Sequence, residues 1–189
     1  MLKKLAVVSV LVVMPLLILA ACGTAQQRAQ RKLEQRGIPF TEDAFVENAY
    51  KGDSDAVKLF LDAGMNPNAA NHDGRPALVA AALEGRETVV DQLLDARGDI
   101  NVKTKEGQTA LMGAAVNGNP RVVNMLLSRG AELDTKDAHD FTALMYADGA
   151  HKPEVRDLLV KAGAKDWHPG PLETPAKPIP LPKKQAEKS

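Results

Sequence analysis

Gly52, Gly85 and Gly118 recur at intervals of 33 residues, and the residues around them recur in step. A shift of 33 brings Phe60, Leu93, Leu126 and Leu159 into one column and Leu61, Leu94, Leu127 and Val160 into the next. Val57, Val90 and Val123 form another column, and Phe45, Leu78, Leu111 and Leu144 a further one. Small residues follow that last column three positions on, at Asn48, Ala81, Ala114 and Ala147. One short supersecondary unit cannot bury its apolar face alone, so four copies must stack on one another. The usable part of such an array is its surface, which argues against a pocket enzyme.

The third copy reads most clearly. Thr109 is placed to cap a first helix by accepting from free amides of its first turn. Leu111, Ala114 and Ala115 make the apolar stripe of that helix, and the alanines let a neighbouring helix come close. Gly118 closes it as a left-handed cap. Pro120 stands at the first turn of a second helix, where its missing amide costs nothing. Val122, Val123, Leu126 and Leu127 recur at three- and four-residue steps, so the second helix is amphipathic. Gly130 ends it, and a polar loop precedes the next copy.

This helix–turn–helix–loop unit resembles the ankyrin repeat. The matching elements are Gly-x-Thr-Ala-Leu at 107–111, Ala114-Ala115, Gly118, the Val-Val and Leu-Leu pairs, and Gly130-Ala131. Gly98-Asp99-Ile100-Asn101 and Gly64-Met65-Asn66-Pro67-Asn68 resemble the loop signature of that family. The resemblance implies an all-α solenoid with protruding β-turn loops over 41–167, with copies near 41–73, 74–106, 107–139 and 140–167. Departures are visible. Ala77, Ala110 and Ala143 stand where the family has proline, and Val79, Met112 and Met145 where it has histidine, so the family's buried histidine network is expected to be absent. Arg97 occupies a glycine column, and a left-handed non-glycine residue costs about 1–2 kcal/mol. The second helix of repeat two is therefore expected to run one residue longer and end at Gly98. Asp140 and His151 also fall in glycine columns, and Asp148 breaks the alanine pair, as suits a terminal copy with one apolar face. Trp167 reads as a lid over the end of the stack or as a partner contact.

The ends of the chain have a different character. Lys3 and Lys4 precede an uncharged run from Leu5 to Ala21 that ends in small residues, the pattern of a secretory signal over 1–21. The run is short for a membrane span, which needs about 20 apolar residues. Leu19-Ala20-Ala21-Cys22 resembles the lipobox of bacterial lipoprotein precursors, which implies cleavage before Cys22 and acylation of it. Acyl anchoring through two or three chains is effectively stable. Gly23-Thr24, in place of an aspartate after the cysteine, implies by the same resemblance the outer membrane, facing the periplasm. Cys22 is the only cysteine, so no intramolecular disulfide can form.

Residues 22–40 read as a lipidated cysteine and a tether helix rich in Gln and basic residues, ended by Gly37 and followed by Pro39. Two readings of that helix stand: a solvated helix whose end covers the first repeat, or a contact with anionic headgroups. Residues 168–189 hold prolines 169, 171, 175, 178, 180 and 182, six of the chain's twelve, and read as an extended, solvated tail. A proline-reading partner or the cell wall are its other possible contacts. Without Lys3 and Lys4 the chain carries 22 basic against 24 acidic residues, a formal charge of −2. That balance disfavours nucleic acid, which needs a concentrated positive field.

No chemistry emerges from the motifs. His72 and His139 sit at equivalent loop tips two repeats apart, and no cysteine joins them in a metal set. Asp53-Ser54-Asp55 lacks the glycine and distal Glu of a calcium loop and reads as carboxylates at a helix N-terminus. Nucleophile, acid–base pair and phosphate loop are all missing from the pattern, so neither catalysis nor a cofactor is expected. The ankyrin resemblance instead implies protein binding by loop tips and the exposed side of the first helices. Transferred by position, the tips give His72, Asp73, Arg75, Lys105, Glu106, Gln108, His139 and Phe141; the helices give Tyr50, Lys51, Leu83, Glu84, Val116 and Asn117. Tyr50, Leu83 and Val116 line up at 33-residue steps, either as an exposed apolar stripe typical of an interface or as residues half-covered by neighbouring loops. The reading that follows is a membrane-anchored, extracytoplasmic module that binds an envelope or periplasmic protein. An immunity protein neutralising an antibacterial toxin and a structural envelope spacer are the alternatives.

Overall fold

The computed structural model describes residues 24–165. The signal segment, Cys22, Trp167, His168 and the proline-rich tail lie outside the described residues. Within them the architecture is an all-α stack. α1 spans Ala25–Gln35, and four helical hairpins follow. Their first helices are α2 (Glu42–Lys51), α4 (Ala77–Leu83), α6 (Ala110–Asn117) and α8 (Ala143–Gly149). Their second helices are α3 (Ser54–Asp62), α5 (Glu87–Asp95), α7 (Pro120–Ser128) and α9 (Pro153–Lys161). The first helices pack in one inner row, α2–α4–α6–α8, and α1 joins the second helices in an outer row, α1–α3–α5–α7–α9.

Local chemistry sets the boundaries. Thr41, Thr109 and Thr142 cap α2, α6 and α8, each hydroxyl accepting from an amide three residues on. Asp53 caps α3 from Ala56 at 2.9 Å, and Pro120 sits at the first turn of α7 behind the cap Asn119. Each outer helix ends in a paired 5→2 and 6→1 motif. In α3 the amide of Gly64 donates to Leu61 at 3.0 Å and that of Met65 to Phe60 at 2.9 Å, and α5, α7 and α9 repeat the pattern. The core columns are closed to solvent. Phe60, Leu93, Leu126 and Leu159 are all fully buried, whereas their neighbours Leu61, Leu94 and Leu127 are half-buried and Val160 is exposed.

Repeat two corrects the expectation at its helix end. α5 does not lengthen to reach Gly98: Arg97 itself takes the left-handed conformation, with φ of 64°. Stacking fixes where the chain must turn, so register overrides the residue's preference. Gly98 is needed for a different reason. A Cβ there would come within 2.7 Å of the Leu93 carbonyl oxygen. Asp140 and His151 likewise adopt the positive φ of their glycine columns, at 65° and 55°.

Two polar columns at the same 33-residue period tie the loops. Asn71, Thr104 and Asp137 are buried, and each side chain accepts from the amide four residues on, at Arg75, Gln108 and Phe141. These bonds close the protruding turns. Asn68, Asn101 and Asp134 reach across to the next unit, accepting from the amides of Asp99, Glu132 and Lys165 at 2.7, 3.0 and 3.1 Å.

The stack is finished differently at its two ends. Among the described residues, α1 is an outer helix without an inner partner. Its buried residues Ala29 and Leu33 stand eight and four positions before Gly37, as Ala56 and Phe60 stand before Gly64. Phe40 stacks on Phe60 with ring centroids 5.7 Å apart, and Arg36 pairs with Asp53 at 2.6 Å. The helix read as a tether is thus part of the array, covering the first hairpin. At the far end, Asp148 replaces the alanines of column 49, 82 and 115, and Arg156 replaces the valines of column 57, 90 and 123. The two replacements meet in an ion pair of 2.9 Å. A fifth unit could not dock on that face without burying both charges.

Arg97→Gly removes the left-handed strain and is expected to raise the unfolding free energy by about 1 kcal/mol. In a domain of this size that corresponds to roughly 2–4 °C in thermal midpoint. An unchanged or lower midpoint would contradict the strain assigned to Arg97.

Candidate functional site

The inner helices and loop tips form one continuous face, and its close spacing starts at Gly113. A Cβ on that residue would lie 3.2 Å from the Leu83 amide nitrogen, a tight contact that would push the backbones apart by a few tenths of an ångström, so glycine lets α6 lie this close against the C-terminal turn of α4. The approach covers Leu83, which is 2% exposed. An exposed stripe of Tyr50, Leu83 and Val116 is therefore not what this face presents. Tyr50 and Val116 are half-buried, and Leu83 forms the floor of a narrow crevice with Val79, Met112 and Val116, rimmed by Arg75, Gln108 and Tyr146. Its volume, about 10 Å³, is at the limit for a single water and far below a ligand pocket.

Polar side chains organise both flanks of the crevice. On the repeat-one side, burial first and the Glu84 carboxylate second push the Tyr50 phenol above its ordinary pKa. Arg86 reaches back to donate to the Tyr50 carbonyl at 3.0 Å. On the repeat-four side, Tyr146 is buried and donates to Asp137 Oδ2 at 2.5 Å, while Gln108 Nε2 donates to the Tyr146 oxygen at 3.0 Å. Burial and the Asp137 carboxylate raise the Tyr146 phenol well above its usual range. Phe141 packs on Tyr146 with centroids 5.9 Å apart, so this tip residue is drawn half into the fold.

The remaining tips are chained to one another. His72 Nδ1 lies 2.9 Å from Asp43 Oδ1 and Nε2 lies 3.3 Å from Asp73 Oδ1. Lys105 lays its stem over Gly74 and donates from Nζ to the His72 carbonyl at 3.0 Å. The Glu106 carbonyl accepts from Ala138 at 2.8 Å. The face thus keeps Lys51, His72, Asp73, Lys105, Glu106 and His139 exposed, with Tyr50, Arg75, Glu84, Gln108, Val116, Asn117 and Phe141 half-buried. Sequence reasoning missed Asp43, Asp137 and Tyr146. The 33-residue column of Asn71, Thr104 and Asp137 was the available signal for the second of these.

Among the described residues no group of three or more His, Cys, Asp and Glu side chains is arranged to hold a metal ion. No helix among them is long and apolar enough to cross a membrane. The arrangement offers a mixed-charge, contoured surface with a rigid backing, suited to a protein partner.

The family model for ankyrin repeats (3 copies) matches residues 17–103, 45–137 and 99–168. The chain belongs to the ankyrin-repeat family. A comparison with curated proteins returned no match. Ankyrin repeats generally mediate protein–protein interaction and are typically without catalysis.

His72 and Asp43 give a pH-dependent link between the first loop tip and the start of α2. The Asp43 hydrogen bond, then the Asp73 charge, raise His72 above the ordinary imidazole value, and the His72 amide and ring hold Asp43 below its usual range. The raised His72 contributes fully below its unfolded pKa, about 6.5, and its contribution is lost as pH rises through the folded value. The lowered Asp43 contributes above its unfolded pKa, about 3.9, and its contribution is lost as pH falls through the folded value. In an NMR titration His72 is expected to have its midpoint above about 6.5, with Asp43→Asn moving it down. A parent midpoint at or below that value would remove the link.

Proposed function

We propose that this chain is a lipid-anchored ankyrin module of the bacterial envelope. It is tethered at Cys22 on the extracytoplasmic side, with the outer membrane favoured by Gly23-Thr24. It binds an envelope or periplasmic protein through its loop tips and inner helices, without chemistry of its own. The observation that carries the reading is the run Leu19-Ala20-Ala21-Cys22, which closes a charged-then-apolar leader two residues before Thr24 caps α1. Tethering confines the module to a surface and raises its effective concentration for a partner held there.

Two experiments divide the claim. Metabolic labelling with palmitate should mark the full chain, and Cys22→Ser should abolish both the label and membrane sedimentation; an unlabelled parent chain would refute the anchor. For the face, cross-linking of the lipidated chain in whole envelopes should give a discrete adduct. Lys51→Glu with Lys105→Glu should weaken that adduct at least about tenfold, as loss of interface contacts near 1.4 kcal/mol requires. The outer-row changes Arg121→Glu and Asn124→Glu should leave it intact. Equal loss from both pairs would move the interface elsewhere.

A further inference from the structure

Tyr146 stands in the 33-residue column of Glu47, Ala80 and Gly113, yet it is 1% exposed and its hydroxyl reaches the bases of two loop tips. In the three described tips the backbone closes alike. The amides of Asn71, Thr104 and Asp137 donate to the carbonyls of Arg75, Gln108 and Phe141 at 3.1, 2.9 and 3.1 Å. The left-handed residue at the turn differs. Tips one and two have Gly74 and Gly107 there, whereas tip three has Asp140, at φ of 65°. A β-carbon in that conformation crowds the backbone, so tip three needs support that glycine would make unnecessary. The support comes from Asp137, which is 7% exposed. Its Oδ1 accepts from the amides of His139 and Phe141 at 2.8 and 3.0 Å, and its Oδ2 accepts from Tyr146 at 2.5 Å.

We propose that Tyr146 is a positioning residue of the binding face: through Asp137 it locks tip three against tip two and makes the two tips one preformed surface for the protein partner. The inference rests on the reading of the tips and inner helices as that face. Tips two and three are joined through backbone as well as side chains. The Ala138 amide donates to the Glu106 carbonyl at 2.8 Å. Gln108 Nε2, from the base of tip two, donates to the same Tyr146 oxygen at 3.0 Å. Tip one is joined to tip two through a flexible side chain, Lys105, whose Nζ donates to the His72 carbonyl at 3.0 Å. Its carboxylate contact, His72 with Asp43, lies open to water, the two side chains being 74% and 59% exposed. Exposed contacts of that kind hold little, whereas a buried carboxylate with its bonds made is costly to disturb. A surface already held in shape gives up less conformational freedom when a partner binds. Affinity therefore centres on the exposed residues of the joined tips, Lys105, Glu106 and His139.

Tyr146→Phe removes the hydroxyl and keeps the ring. The first readout is amide hydrogen exchange of the full chain. His139 and Phe141, whose amides both end on Asp137, should exchange about tenfold faster relative to Val90 and Val123 in the core of repeats two and three. A loss of stability spread over the whole fold would move all four together. Asp137→Asn places in tip three the residue that tip one already uses at Asn71, and it should act in the same direction should the tyrosine variant fold poorly. The second readout is the adduct formed by cross-linking in whole envelopes, which both variants should weaken. Parent-like exchange at His139 and Phe141 in both variants would overturn the lock. Faster exchange with an undiminished adduct would overturn the role given to the joined tips. A parent chain that forms no adduct refutes the face reading and the partner role with it, while exchange, which needs no partner, still decides the lock.

Discussion

The close approach of successive inner helices is the constraint on which the rest depends. Alanine at 80, 81, 82, 114, 115 and 147 and glycine at 113 leave room for backbones to meet with no gap, and every one of these alanines is fully buried. Dispersion contacts and buried apolar area then accumulate along the array, because each unit shields the next. The loops follow from this packing rather than causing it. Once the helices are in register, equivalent turns lie side by side, and Asn68, Asn101 and Asp134 each find the amide of the following repeat.

Register is strong enough to impose conformations the residues would not choose. Arg97 is bent into left-handed backbone, although glycine follows it, since shifting the turn by one residue would carry Leu93 out of its column. The same rigidity makes the ends a problem, for an unfinished stack presents an apolar face. This chain solves it asymmetrically. α1 supplies a spare outer helix at the start, and the Asp148–Arg156 pair makes the last face polar. Along the described residues the loop tips keep a fixed spacing, which is what a protein-binding surface requires.

Much of this was legible in the residues. The 33-residue columns carried the repeats, the caps at Thr109 and Gly118, the first-turn Pro120 and the terminal character of repeat four. α1 was legible as a helix ended by Gly37, but its place in the outer row was not, because Gly37 precedes Gly64 by 27 residues rather than 33 and a fixed period passes over it although Ala29 and Leu33 keep the outer-helix spacing. Whether Leu83 is exposed or covered stayed open in the sequence because periodicity gives a residue's direction along its own helix, and coverage depends on how near the neighbour lies. That distance is set by Gly113, a residue of a different unit. Tyr146 was invisible as an organiser for a similar reason: its partners, Gln108 and Asp137, come together only through stacking.

Gly113→Leu, followed by urea denaturation, tests the central claim most directly. A side chain at that position must displace the backbone of Leu83, so the change is predicted to cost about 1–3 kcal/mol and to separate the unfolding of repeats three and four from that of repeats one and two. A single transition at the parent midpoint would contradict the account.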